Sequence, residues 1–256
     1  MHWVDSHCHL DAEAFDIDRA QVVARARAAG VTMQVIPATT AARWPTLRQI
    51  CQQWPGLYPA YGLHPMFLDQ HRPAHLHALR EWIETERPCA IGECGLDFFV
   101  DGLDAADQRH YFQAQLHLAR DYNLPVIVHA RKAVEEVIVS VRRIGGLRGV
   151  VHSFSGSPEQ ARQLADHGFL ISLGGPLTYA RANRLRRLVA SVPIETLMLE
   201  TDAPDQPDAE VAGQRNEPAR LASIAAVVAE LRDMPLAELA AHTAANARTL
   251  FGLPAA

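Results

Sequence analysis

Short, almost purely apolar runs recur along this chain, and most are followed at once by a histidine, glutamate or aspartate. Residues 3–5 lead to His7 and His9, 58–63 to His64, 89–92 to Glu93, 125–128 to His129, 149–151 to His152 and 196–199 to Asp202. Two further runs, 31–37 and 169–173, complete the set. Between them apolar residues repeat at helical spacing over 16–29, 43–54, 74–86, 107–122, 132–144, 158–167 and 180–191, with closing helices over 217–231 and 236–250. Runs without polar alternation suit a parallel sheet buried on both faces. About eight strand–helix units in 256 residues match a (β/α)8 TIM barrel, and 1–256 is expected to form one such domain. An open doubly wound sheet is disfavoured, because no glycine-rich phosphate loop follows the first strand.

In a barrel the strand ends form one face, so residues far apart in sequence converge there. His7 and His9, one residue apart on an extended segment, point the same way and can bind one ion together. Four histidines (His7, His9, His129, His152) with Glu93 and Asp202 exceed what a single four- or five-coordinate ion needs. A carboxylate can bridge two ions, and Glu93 sits centrally in strand order. The expectation is two divalent metal ions with Glu93 between them. Nitrogen-rich ligation favours Zn, Mn, Co or Fe, whereas Mg prefers oxygen and water. Seven other histidines, His71, His75, His77, His110, His117, His167 and His242, fall in helices or loops and are expected at the surface.

Composition narrows the partners. At 48% hydrophobic and 21% charged the chain is of ordinary globular type, with no apolar run that would span a bilayer. Met1-His2-Trp3-Val4-Asp5 lacks a basic start followed by an apolar core, so a cytoplasmic location is expected. A net charge of -5, with Lys132 the sole lysine, argues against gripping duplex nucleic acid over a wide surface. A phosphate-bearing substrate remains compatible, since bound cations supply local positive charge. No membrane and no protein partner are expected. The four cysteines form no CxxC pair, and Cys8 and Cys94, beside ligand candidates, are read as packing residues.

Several motifs occur in order: DSHCHL at 5–10, GLHP at 62–65, IGECGLDF at 91–98, VHAR at 128–131, VHSFSGS at 151–157, LETDAP at 199–204 and NEP at 216–218. Together they resemble the TatD family of metal-dependent deoxyribonucleases, within the amidohydrolase-like metal-dependent hydrolase barrels. The resemblance runs from about residue 4 to residue 251. It implies that His7, His9, Glu93 and Asp202 hold one metal, and that Glu93, His129 and His152 hold the other. It also implies phosphodiester hydrolysis, including 3′-exonuclease action on DNA, often assayed with magnesium. Asp205 stands where many DNases of the family carry an aromatic residue. With GGPLTYAR at 174–181 this points to the YjjV-like branch and leaves the natural substrate open.

Two ions would generate hydroxide near neutral pH and offset charge on a phosphoryl oxygen. Asp202 is then both ligand and proton acceptor, with Glu93 bridging. His64 reaches substrate or leaving group, or else orients the loop beside Pro65. Asp97 orients a ligand. Arg131 either meets a substrate phosphate with two donors or forms a structural salt bridge. The expected substrates are nucleic-acid ends or a small phosphodiester. The rival readings are an amidohydrolase acting on a C–N or ester bond, and a metal-dependent binding protein without turnover.

Overall fold

The computed structural model describes residues 1–255. Eight strands pair in sequence order: β1 (Trp3–Asp5), β2 (Val31–Pro37), β3 (Leu57–Tyr61), β4 (Ala90–Asp97), β5 (Val126–Arg131), β6 (Gly149–Val151), β7 (Phe169–Leu173) and β8 (Leu197–Leu199). Every neighbouring pair along that order is parallel. Helices follow the strands: α1 (Arg19–Ala28), α2 (Trp44–Gln53), α3 (Pro73–Glu86), α4 (Ala105–Asp121), α5 (Val134–Ile144), α6 (Pro158–Asp166), α7 (Asn183–Ser191), α8 (Leu221–Arg232) and α9 (Leu236–Phe251). No helix among the described residues is long and apolar enough to cross a membrane.

Local chemistry explains these elements. In α5, Val134, Val137, Ile138 and Val141 are buried at helical spacing, Glu135 and Glu136 sit in the first turn and Arg142 and Arg143 in the last. That charge order complements the helix dipole. In α6, Ser157 and Gln160 cap each other's backbone N–H, and Pro158 needs no donor at the first turn. Several expected helices begin late for similar reasons. Short 3₁₀ turns at Gly175–Thr178 and Pro218–Arg220 precede α7 and α8, so these start at Asn183 and Leu221 rather than at 180 and 217.

The barrel closes through side chains as well as backbone. Between β8 and β1 the backbone N–H and hydroxyl of Ser6 both donate to the Leu199 carbonyl, at 3.0 and 2.9 Å. The buried Asp5 carboxylate accepts the Thr201 N–H at 3.0 Å and the Thr201 hydroxyl at 2.6 Å. Beyond the strands, Asp202 N–H donates to the His7 carbonyl at 2.9 Å and His9 N–H to the Ala203 carbonyl at 2.7 Å. The seam of the barrel is therefore also the backbone of the site. Val4, Met33, Val35, Ala60, Ala90, Ile127, Val150 and Met198 form a separate apolar cluster that Leu250 and Phe251 of α9 pack against.

β4 and β5 run further than the sequence suggests. They extend to Asp97 and Arg131, so Glu93 and His129 sit within strands and not beyond their ends. The β4–β5 ladder shifts between Ile91 and Cys94, an irregularity of the kind that re-aims a side chain, and the residues there are Gly92 and Glu93. Gly95 then pairs with His129, and a Cβ on it would lie 2.0 Å from the His129 carbonyl oxygen, at φ +144°. Only glycine lets the two strands approach this closely. Gly95→Ala should cost on the order of 3 kcal/mol of stability. Thermal and denaturant melts check this; a melting temperature equal to the parent's would mean the backbone accommodates the methyl group.

Candidate metal centre

Glu93 lies at the mouth of the barrel, 1% exposed, with its two carboxylate oxygens turned to different groups. Oε2 is 3.2 Å from His7 Nε2 and 3.4 Å from His9 Nε2. Asp202 Oδ1 is 3.4 and 3.6 Å from the same two nitrogens. Oε1 is 2.8 Å from His152 Nε2, 3.2 Å from His129 Nδ1 and 2.8 Å from His64 Nε2. All six expected ligands thus converge, around one carboxylate.

These separations fit cations. The His7 and His9 Nε2 atoms are 3.2 Å apart, and His129 Nδ1 is 3.3 Å from His152 Nε2. Donors around a tetrahedral ion with bonds of about 2.1 Å stand roughly 3.4 Å from each other. Glu93 Oε2 is buried and receives no hydrogen bond, although two imidazoles face it. A buried carboxylate oxygen without a donor is costly unless a cation satisfies it.

In His9, His129 and His64 the partner of one ring nitrogen decides what the other does. His9 Nδ1 lies 3.2 Å from the Pro37 carbonyl and His129 Nε2 2.9 Å from Asp97 Oδ2, so each donates there. His152 Nδ1 faces Glu200 Oε1 at 3.7 Å. That distance is beyond a hydrogen bond, so for His9 and His129 alone an outer partner fixes one proton and leaves the inner nitrogen as the atom that a metal would take in place of a second proton. His64 is reversed. The Met66 N–H donates to its Nδ1 at 3.1 Å, so the proton must sit on Nε2, which donates to Glu93 Oε1 at 2.8 Å. His64 stands within ligand distance of Glu93 and His129 yet offers a hydrogen-bond donor.

Charge follows the same plan. Burial works against ionising Glu93, but His64, His152 and His7 outweigh it and hold the carboxyl well below the usual range. Burial also opposes ionisation of Asp97, and is overcome by His129 and the N–H groups of Phe99 and Val100, which bring it to about 2. Burial pulls the His64 imidazole down to about 4, favouring its neutral form. Burial raises the Asp202 carboxyl despite His7, His152 and His9.

Beyond the expected residues, the fold recruits others. Gln206 donates to Asp202 Oδ2 and accepts from the Ser153 hydroxyl at 2.8 Å. Glu200 is buried and accepts the Ser153 N–H at 2.7 Å. Glu200 stands two residues before Asp202, inside the LETDAP motif, whereas Gln206 carries no comparable sequence signal. His71 corrects the expectation of a surface residue: it is 4% exposed, and its Nε2 lies 2.8 Å from the His64 carbonyl. Cys8 and Cys94 are buried outside the cluster, with thiols directed at Gln34 and the Ile127 carbonyl. Arg131 is exposed at the rim, and among the described residues no carboxylate pairs with it. The salt-bridge alternative for Arg131 therefore does not describe this fold. The cluster opens into a cavity of about 850 Å³ that Arg131, Met66, Phe67, Leu177 and Asp205 help to line.

Comparison with known proteins agrees with this picture. Residues 4–252 match the family described as TatD related DNase. The chain is 39% identical over 256 residues to the uncharacterized metal-dependent hydrolase YjjV of Escherichia coli K12, covering 98% of each. It is 34% identical over 258 residues to the 3'-5' ssDNA/RNA exonuclease TatD of Klebsiella pneumoniae, covering 97% of each. The crystal structure of YjjV superimposes with a TM-score of 0.95 at 38% identity, over 98% of both chains.

Asp97→Asn removes the charge that fixes the His129 ring while sparing the ligands themselves. Affinity for an ion at the His129–His152 group should fall about 10- to 100-fold, with the His7–His9 group little changed. Titration calorimetry with Mn or Zn would resolve the two events; equal weakening of both would show that Asp97 acts on the whole cluster.

Proposed function

The chain belongs to the TatD-related DNase family of metal-dependent hydrolases, and from that premise we propose that it hydrolyses phosphodiesters at a two-metal centre. The substrates we assign are nucleic-acid ends or small diesters. The observation that carries the reading is the divided carboxylate of Glu93, one oxygen toward His7, His9 and Asp202 and the other toward His129 and His152. Zn, Mn, Co or Fe suits the nitrogen donors better than Mg. When bound, such ions would supply Lewis acidity, lowering the pKa of water and offsetting charge on phosphoryl oxygens.

The chain's own groups do the rest. Gln206 holds Asp202 Oδ2, leaving Oδ1 directed at the His7–His9 pair. From there Asp202 takes the proton of the attacking water as general base. His64, neutral and protonated at Nε2, can turn its N–H from Glu93 to a phosphoryl or leaving-group oxygen without bringing in a second positive charge. Arg131 is free to meet a phosphate with two parallel donors. A carboxylated-lysine bridge, which an amidohydrolase reading would favour, lacks its residue: Lys132 is exposed, with its ammonium 4.7 Å from the Phe99 ring centre.

The metal-loaded protein should cleave single-stranded oligonucleotides and bis(p-nitrophenyl) phosphate, and leave closed circular duplex DNA intact, because its net charge of -5 repels a long polyanion. Turnover confined to amides or phosphomonoesters would overturn the reading. Two variants separate chemistry from metal binding. Asp202→Asn should lose on the order of 10²-fold or more in kcat while still binding metal, perceptibly more weakly. His64→Gln should retain both ions by elemental analysis and lose turnover; loss of one ion instead would make His64 a ligand.

A further inference from the structure

Beside the metal centre stands an aromatic ring with two unpaired cations on it. Phe99 is 48% exposed, unusual for a residue of its size. The Arg131 guanidinium lies 3.7 Å from its ring centre and the Lys132 ammonium 4.7 Å. Arg109 pairs with Glu136, and Asp97 with His129. Among the described residues neither Arg131 nor Lys132 has a carboxylate partner.

The backbone that carries the ring is held in place. Asp97 Oδ1 accepts the N–H of Phe99 at 2.9 Å and of Val100 at 3.1 Å, while Oδ2 fixes His129. Arg131 follows His129 by two residues on β5, so both project from the same side of the strand, about 6.6 Å apart along it. One nucleotide spans such a gap.

Resting on the phosphodiester reading, we propose that Phe99, Arg131 and Lys132 form a subsite for the nucleotide adjoining the scissile phosphate of a single-stranded nucleic acid. The base stacks on Phe99, the Arg131 guanidinium leaves the ring for a phosphate, and Lys132 neutralises the next one. Aromatic stacking is tolerant of sequence, and an exposed ring can reach only an unpaired base. The ligand is thus a single strand rather than a duplex.

The test compares a single-stranded decanucleotide with methyl p-nitrophenyl phosphate, a diester with no adjoining nucleotide, on metal-loaded enzyme. Phe99→Leu keeps the backbone N–H that Asp97 binds, and elemental analysis verifies its metal content. The ratio of kcat/KM for the decanucleotide to that for the small diester should fall on the order of tenfold, mainly through KM. Phe99→Tyr should restore it. Lys132→Ala should flatten the dependence of decanucleotide KM on salt by roughly one phosphate contact. An unchanged ratio in Phe99→Leu, with the parent cleaving both substrates, overturns the subsite and leaves the phosphodiester reading standing. A parent inert toward both substrates overturns the two together.

Discussion

A carboxylate buried to 1% exposure and surrounded by imidazoles is the interaction on which the rest of this structure turns. Removing such a group from water costs several kcal/mol unless charge or hydrogen bonds compensate it. Here the compensation comes from histidines carried on or just after four separate strands, which a barrel brings within reach of one another. The same nitrogens that can balance Glu93 by holding protons can hold metal ions instead, so protons and metals compete for one set of positions. The fold and the centre are in this sense one device. Closure of the sheet creates the buried position, and occupation of that position makes closure tolerable.

Second partners, more than the ligands, set the division of labour within the cluster. Five histidine rings meet around Glu93, chemically identical until their outer nitrogens are examined. A carbonyl at Pro37 and a carboxylate at Asp97 draw protons outward in two of them. A single backbone amide at Met66 drives the proton inward in His64. The inward-facing N–H of His64 thus rests on one 3₁₀ turn, Pro65–Gln70, and on the His71 imidazole that braces its start.

Much of this was readable in the chain before any coordinates. Uninterrupted apolar runs announce a doubly covered parallel sheet, and their spacing announces the barrel, because both follow from local hydrophobic pattern. The convergence of six metal-competent residues follows from register, since each lies within a strand or just after its C-terminal end. What escaped depends on contacts without sequence periodicity. The extensions of β4 and β5 pass through polar residues that pattern alone assigns to loops. His71 satisfies its ring on a main-chain carbonyl, which no motif encodes. Gln206 reaches Asp202 because the segment after β8 turns back at positive φ, at Asp202 itself and again at Gln206. The inversion of His64 relies on an amide that every residue possesses.

The seam between β8 and β1 carries a further consequence, in time rather than in space. The Ser6 hydroxyl meets Leu199 across 193 residues of sequence, and Asp5 meets Thr201 across 196. Contacts this remote exact the largest loop-closure entropy and form late. His7 and His9 leave the ribosome long before Asp202, which follows about 195 residues later. The His129–Glu93–His152 half, spanning far less sequence, can assemble earlier. A chain arrested in synthesis before its last strand would carry half a centre and an open sheet edge, exposed to any neighbour able to pair with it.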